Sequence, residues 1–302
     1  MTLIPMVVAL VAAGQAAPAS LDAPEAAAIV RSIEQERARA MESLRSDPTS
    51  YLATIDRRDF GERQMLTVGR AADNDVRLED AAVKAHHLRV VVQGERFLVE
   101  AVDPGAEFLV NAKPARQATV GPSAIEVGRF VLRLSHQHYP AIIVFDPQSP
   151  RLREYKGLDY FPVDLLYRYE LPLTANPAPE EVVIMSTRGH RRRAERVGWF
   201  DFLVGTTPCR LEATRLLEPG VDEHAVSVFF RDATSGRDTY PLGRYVDARK
   251  LPDGRYLLDF NAAYNPACAF SEHYNCPIPP KANTLTVAIR AGEKDPHYHA
   301  SR

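Results

Sequence analysis

Gly69-Arg70-Ala71-Ala72-Asp73-Asn74-Asp75-Val76-Arg77-Leu78-Glu79-Asp80 links two short apolar segments, residues 65–68 and 76–78, through a turn. Asp73-Asn74 supplies that turn, because Asn and Asp side chains hydrogen-bond nearby backbone and tolerate left-handed dihedrals. The same grammar continues through residues 87–92, 96–101, 107–110, 124–127 and 130–135, punctuated by Gln93-Gly94, Asp103-Pro104-Gly105 and Gly121-Pro122. Short strands at near-regular spacing predict a β-sandwich, with residues 141–145 as its closing strand. The expected sandwich spans residues 61–146.

Upstream, Asp22-Ala23-Pro24-Glu25 has the grammar of a helix start: a capping Asp, a Pro in the first turn and an acid three residues after the cap. Ile29, Ile33, Ala40 and Leu44 recur at helical spacing, and the helix should stop before Asp47-Pro48. Residues 20–60 therefore read as a helix and connector. Before them, residues 3–14 are nearly all apolar and are followed by Gly14-Gln15-Ala16 and Ala17-Pro18-Ala19. That run is too short to span a bilayer and ends in small residues, so residues 1–19 read as an export signal and the expected location is periplasmic or secreted.

The 302 residues carry 37 Lys plus Arg against 39 Asp plus Glu, for a net charge of -2. This balance argues against general attraction to nucleic acid or anionic membrane. No later stretch is apolar enough to predict a membrane span, and three cysteines are too few for a disulfide framework.

Downstream of a turn-rich linker at 146–150, strand candidates follow at 181–187, 194–204, 210–217, 225–231, 238–248, 255–260 and 285–290. Gly189-His190, Gly205-Thr206, Pro219-Gly220, Ser235-Gly236 and Asp253-Gly254 separate them as tight turns. Residues 151–294 are thus expected to form an antiparallel β-meander, closed into a barrel or laid out as a folded sheet, with 295–302 as a flexible tail. The chain as a whole reads as mainly β.

The 69–80 stretch, with Val83, His87 and Asn111 behind it, resembles the opening signature of the forkhead-associated (FHA) sandwich. The resemblance implies a phosphothreonine reader that grips phosphate with an arginine and a serine from two loops. Arg70 stands at the arginine position, but Lys84 stands where the serine should be, and Ala112 replaces the usual glycine after Asn111. An ammonium can neutralise phosphate but lacks the short hydroxyl geometry. A structural or docking sandwich is therefore expected in preference to phosphopeptide binding, with His87 holding loops together.

Residues 155–164, 230–236, 239–245 and 258–270, then Cys276-Pro277-Ile278-Pro279-Pro280, Asn283 and residues 290–294, closely resemble the bacterial family catalogued as domain of unknown function 1684. The resemblance covers about residues 35–294 and implies kinship without a reaction. Within these segments Arg231-Asp232 enters a tight turn through Thr234, Ser235 and Gly236. On a later strand, alternation puts Asp259 and Asn261 on one face and Leu258 and Phe260 on the other. Arg231, Asp232, Tyr240, Arg244, Asp259, Asn261 and Asn265 then form a candidate wall for a small or extended polar ligand. The arginines would meet an anionic group, and Asp259 and Asn261 would orient it. A buried ion-pair network, a hydrolase-like enzyme at the same wall, and a partner-docking protein without a ligand are the competing readings. No G-x-S-x-G, H-E-x-x-H or phosphate loop is present, so no cofactor and no metal are expected.

Seven residues separate Cys268 from Cys276, which is not zinc-finger spacing. In an oxidising compartment the two can pair; free buried thiols, or a metal held by Cys268, His273 and Cys276, are the alternatives. Cys209 reads as a buried thiol. Arg191-Arg192-Arg193 with Arg196 reads as a solvated strand edge with no role in nucleic-acid binding.

Overall fold

The structure is a computed structural model in which residues 22–298 are described. The expected leader at 1–19 and the last residues of the tail lie outside them. A helix at Ala23–Ser46 begins as the sequence predicts: the Asp22 carboxylate accepts from the Glu25 N–H at 2.8 Å. Of its side chains only Ile33 is fully buried. None of the described helices is long and apolar enough to cross a membrane.

Two sheets form the FHA-like sandwich. One runs Thr54–Asp59, Pro140–Phe145, Phe130–His136, Ser123–Val127, Phe108–Val110 and Lys113–Ala115. The other runs Val76–Arg77, Met65–Gly69, Leu88–Gln93, Arg96–Ala101 and Gln117–Val120. Inward residues of both sheets, among them Leu66, Val68, Leu88, Val90, Phe97, Ile125 and Leu132, make its core. The Thr54–Asp59 strand falls in the stretch read as connector, yet it pairs along the full length of Pro140–Phe145. His87 ties two loops: its Nδ1 accepts from the Lys84 N–H at 3.0 Å, so Nε2 is the nitrogen that donates to the Glu107 carbonyl at 2.8 Å.

The Phe108–Val110 hairpin turns on Asn111 and Ala112 at φ 51° and 60°. A left-handed alanine carries a Cβ clash of about 1–2 kcal/mol that glycine escapes. Ala112→Gly is expected to raise the urea midpoint by the equivalent of about 0.5–1 kcal/mol after glycine's entropy cost is subtracted. An unchanged or lower midpoint would show that the turn carries no strain.

Alternation gives the six-stranded sheet a second working face. Phe130, Leu132 and Leu134 point into the sandwich, whereas Val131, Arg133 and Ser135 point outward. Ile143 and Phe145 share that outer face and are buried in a separate core, built with Tyr245, Ala269, Phe270 and Tyr274 of the C-terminal half. The C-terminal half thus packs directly on the back of the sandwich.

That half is a folded pair of antiparallel sheets and not a closed barrel. A five-stranded sheet runs Thr174–Met185, Arg191–Val204, Thr207–Leu216, Ser227–Phe230 and Arg244–Asp247. A three-stranded sheet runs Arg168–Leu171, Tyr256–Asp259 and Arg249–Lys250. Tyr169, Phe200, Phe202, Phe230 and Phe260 fill the space between them. Three details differ from the sequence expectation. The 174–179 stretch belongs to an edge strand, where a register shift between Ala175 and Glu180 accommodates prolines that cannot donate. Residues 238–243 are a turn, and the strand starts only at Arg244. Gly243, at φ 100°, is where that turn closes on its neighbour, since a Cβ there would strike the Phe230 carbonyl. Finally, residues 285–290 form no strand.

Candidate functional site

The expected wall separates into small hydrogen-bonded groups, with Asn265 Oδ1 and Arg231 Nε left without partners. Asp232 is enclosed: Oδ1 accepts from the Thr234 N–H at 2.9 Å and its hydroxyl at 2.5 Å, and Oδ2 accepts from Arg244 Nη2 at 3.0 Å and the Ile289 N–H at 2.9 Å. The Arg244 side chain is 1% exposed. It donates to the carbonyls of Ala291, Glu293 and Ile289 and lies over the Phe230 ring. Burial pulls its pKa down, against the pull of Asp232.

Asp259 and Asn261 do not share a strand face. The strand ends at Asp259, and Phe260–Ala262 is a 3-10 turn that Asp259 caps. Asp259 Oδ1 accepts from the Asn261 N–H and Nδ2, both at 2.9 Å. Asn261 Oδ1 accepts from the Asp164 N–H at 2.9 Å, and Nδ2 donates to the Asp164 carbonyl at 2.8 Å. Burial raises the Asp259 pKa, with Arg168 and Arg37 opposing.

Asn265 Nδ2 donates to Glu293 Oε2 at 2.9 Å and to the Lys294 carbonyl at 2.7 Å. Glu293 has no place in the expected wall. It is nearly inaccessible, accepts from Tyr160 at 3.3 Å, and burial lifts its pKa to about 7. The backbone of Arg231 bridges to Thr284, and its buried Nε has no partner. The Tyr240 hydroxyl lies 3.4 Å from the Cys268 carbonyl oxygen and 3.7 Å from Cys268 Sγ.

Two cavities lie along the seam between the halves. The larger, about 470 Å³, is lined by Tyr240, Cys268, His273, Thr54, Arg151 and Tyr298, among others. The smaller, about 320 Å³, is a cleft lined by Arg57, Arg133, Arg192 and Asn275, with Tyr245 and Tyr264 beside them. Among the described residues, no Asp or Glu lines this cleft.

Arg57 comes from the outer face of the sandwich and its side chain is 1% exposed. Nε donates to Asp59 at 2.8 Å and Nη1 to the His273 carbonyl at 3.3 Å, while Nη2 is buried without a partner. Burial lowers its pKa in spite of Asp59. Arg133 stacks on Phe145, 4.7 Å from the ring centre, and has no hydrogen-bond or ion-pair partner among the described residues. Arg192 grips the Glu218 carboxylate with two nitrogens and the Asn275 carbonyl with the third at 2.8 Å. It is buried, contrary to the solvated edge expected of the 191–193 run, because alternation turns it inward between exposed Arg191 and Arg193. Both amide atoms of Asn275 are buried without partners.

Arg57, Arg133 and Asn275 stand outside the site expected from sequence. The one signal that points to any of them is a polar residue at an outward position of a strongly apolar strand, in Val131-Leu132-Arg133-Leu134.

Residues 153–294 match the family described as a protein of unknown function (DUF1684), and residues 66–127 match the FHA domain. The chain belongs to the DUF1684 family. An uncharacterised protein of Haloarcula marismortui, solved by NMR, is 35% identical over 50% of this chain and 82% of its own, with a TM-score of 0.40. The FHA domain of FhaA, solved in complex with the intracellular domain of Rv3910, is 22% identical over 26% of this chain and 78% of its own, with a TM-score of 0.21. Mycobacterium tuberculosis EmbR, solved with a low-affinity phosphopeptide, is 17% identical over 42% of this chain and 32% of its own, with a TM-score of 0.22. No curated protein matches.

Proposed function

We propose that this DUF1684 protein binds a small anionic ligand in the arginine-lined cleft between its two halves. One observation carries the reading: Arg57 Nη2 and both amide atoms of Asn275 are buried without partners at a cleft that has three arginines and no acid in its lining. A buried polar atom without a partner costs about 1–3 kcal/mol, and a bound ligand offsets that cost. Glu218 and Asp59 already pair with Arg192 and Arg57, which leaves Arg133 as the uncompensated charge. The ligand is therefore a carboxylate or phosphate for Arg133 and Arg57, with a neighbouring group that both donates and accepts for Asn275. The arginine-and-amide chemistry expected around Arg244 is retained in this reading but carried by other residues.

The test is calorimetric titration and thermal shift with inorganic phosphate, simple phosphate esters and di- and tricarboxylates. Arg133→Ala is expected to weaken the best ligand by about 10–100-fold, the worth of a charged hydrogen bond. Its thermal midpoint without ligand should fall only by the small loss of stacking on Phe145, since Arg133 has no ionic partner to lose. If no anion of the panel binds, or if binding survives Arg133→Ala, the cleft holds only water and the proposal fails.

A further inference from the structure

Two thiols form part of the partition between the cavities. Cys268, in the Ala267–Ala269 turn, lines the larger cavity, while Cys276 lines the arginine cleft. Pro266 starts the turn, and the chain then doubles back so that the Cys268 N–H donates to Cys276 Sγ at 3.2 Å. The Tyr240 hydroxyl lies 3.7 Å from Cys268 Sγ, and the Thr187 hydroxyl donates to the Tyr274 carbonyl at 3.1 Å. Thr187 in turn accepts from the Cys276 N–H at 3.0 Å, which fixes it beside the pair. No third His, Cys, Asp or Glu completes a metal set among the described residues.

The two sulfurs are therefore unequal. The neighbouring Cys276 and the Tyr240 hydroxyl draw the Cys268 pKa below the ordinary thiol value, against burial. Cys276 gives up its proton reluctantly, held up by the neighbouring Cys268 thiol and by burial. Nucleophilic attack on sulfur needs a thiolate with access to the incoming group, and resolution needs a second thiol already in contact.

We propose that Cys268 and Cys276 are a thiol–disulfide exchange centre that reduces a small disulfide entering the larger cavity. The Cys268 thiolate attacks one sulfur of R–S–S–R. A bond forms between Cys268 Sγ and that sulfur, the R–S–S–R bond breaks, and RS⁻ leaves with the electron pair and takes a proton from water. Cys276 then loses its proton to water and attacks Cys268 Sγ, expelling the second RS⁻. Two electrons pass from the cysteine pair to the substrate, giving two RSH and a Cys268–Cys276 bond. The inference is independent of the anionic-ligand reading.

A Cys209→Ser background removes the third thiol, which lines neither cavity. This protein is reduced, desalted and treated in its folded state with 2-hydroxyethyl disulfide, and intact mass and released thiol are followed. The expected product has lost two hydrogens, keeps no adduct and has released two thiols per chain. Cys276→Ser is expected to trap a stable adduct on Cys268. Cys268→Ser should leave Cys276 unmodified, and Tyr240→Phe should slow the first step several-fold. A parent protein that retains the adduct, reacts only after denaturation, or is modified first at Cys276 would overturn the proposal. Equal rates for Cys268 and Cys276 in the two single-serine variants would do the same.

Discussion

Replacing Arg244 with methionine is expected to lower folding stability by about 3–5 kcal/mol, the usual cost of removing one partner of a buried ion pair. The substitution keeps the apolar stem over Phe230 but strands the Asp232 carboxylate, whose side chain is 0% exposed. It also removes the donor for three carbonyls, those of Ile289, Ala291 and Glu293. An unsatisfied buried acceptor alone costs about 1–3 kcal/mol. Adding Asp232→Asn to Arg244→Met removes the uncompensated charge and should recover part of the loss; the orphaned carbonyls account for the remainder. Urea unfolding of the parent, the single variant and the double variant gives the comparison. A single variant within about 1 kcal/mol of the parent would mean that the network is ornamental, since even exposed pairs reach that value.

The second large effect depends on pH. Burial raises the Glu293 carboxyl from its ordinary value of 4.5 to about 7. Between those values the folded chain holds a proton that the unfolded chain has released. Stability therefore falls as pH rises through this window, by about 1.4 kcal/mol for each pH unit crossed. Over the whole window the loss amounts to about 3 kcal/mol, a contribution fully present below the unfolded value and gone by slightly alkaline pH. Glu293→Gln makes the neutral form permanent. Its amide oxygen can still accept from Asn265, and its amide nitrogen can donate to the Tyr160 oxygen. The variant should match the parent near pH 5 and exceed it by about 3 kcal/mol near pH 8. The difference between the two stability curves isolates this one carboxyl from every other titrating group. Parallel curves would place the folded pKa at its ordinary value.

The sandwich is legible because its strands alternate and its turns are spelled out locally, from Asp73-Asn74 to Gly121-Pro122. The helix is legible for the same reason: Asp22 and Pro24 act within one turn. Asp232 and Arg244 stand out in the sequence as a chemical pair, but whether they face a ligand or each other depends on the 285–294 segment, far along the chain. Asp259 and Asn261 mislead because strand alternation, carried one residue too far, passes the point where a side-chain cap ends the strand. Arg133 is the hardest to find. In isolation it is an ordinary outward residue, and only the packing of the second half on that face turns it into part of a cleft.

The six-stranded sheet, part of whose outer face is buried under the second half, also bears on how such a protein is built. A recognition domain that travels between proteins needs a face that tolerates water on its own. Here Ile143 and Phe145 share a core with residues of the other half and with Leu52 and Ala53, Arg133 lies over the Phe145 ring, and Thr54–Asp59 and Pro140–Phe145 lie outside both stretches that match known families. The strands that weld the halves together belong to neither recognised module. Without the C-terminal half, this sandwich would turn the apolar faces of Ile143 and Phe145 toward water.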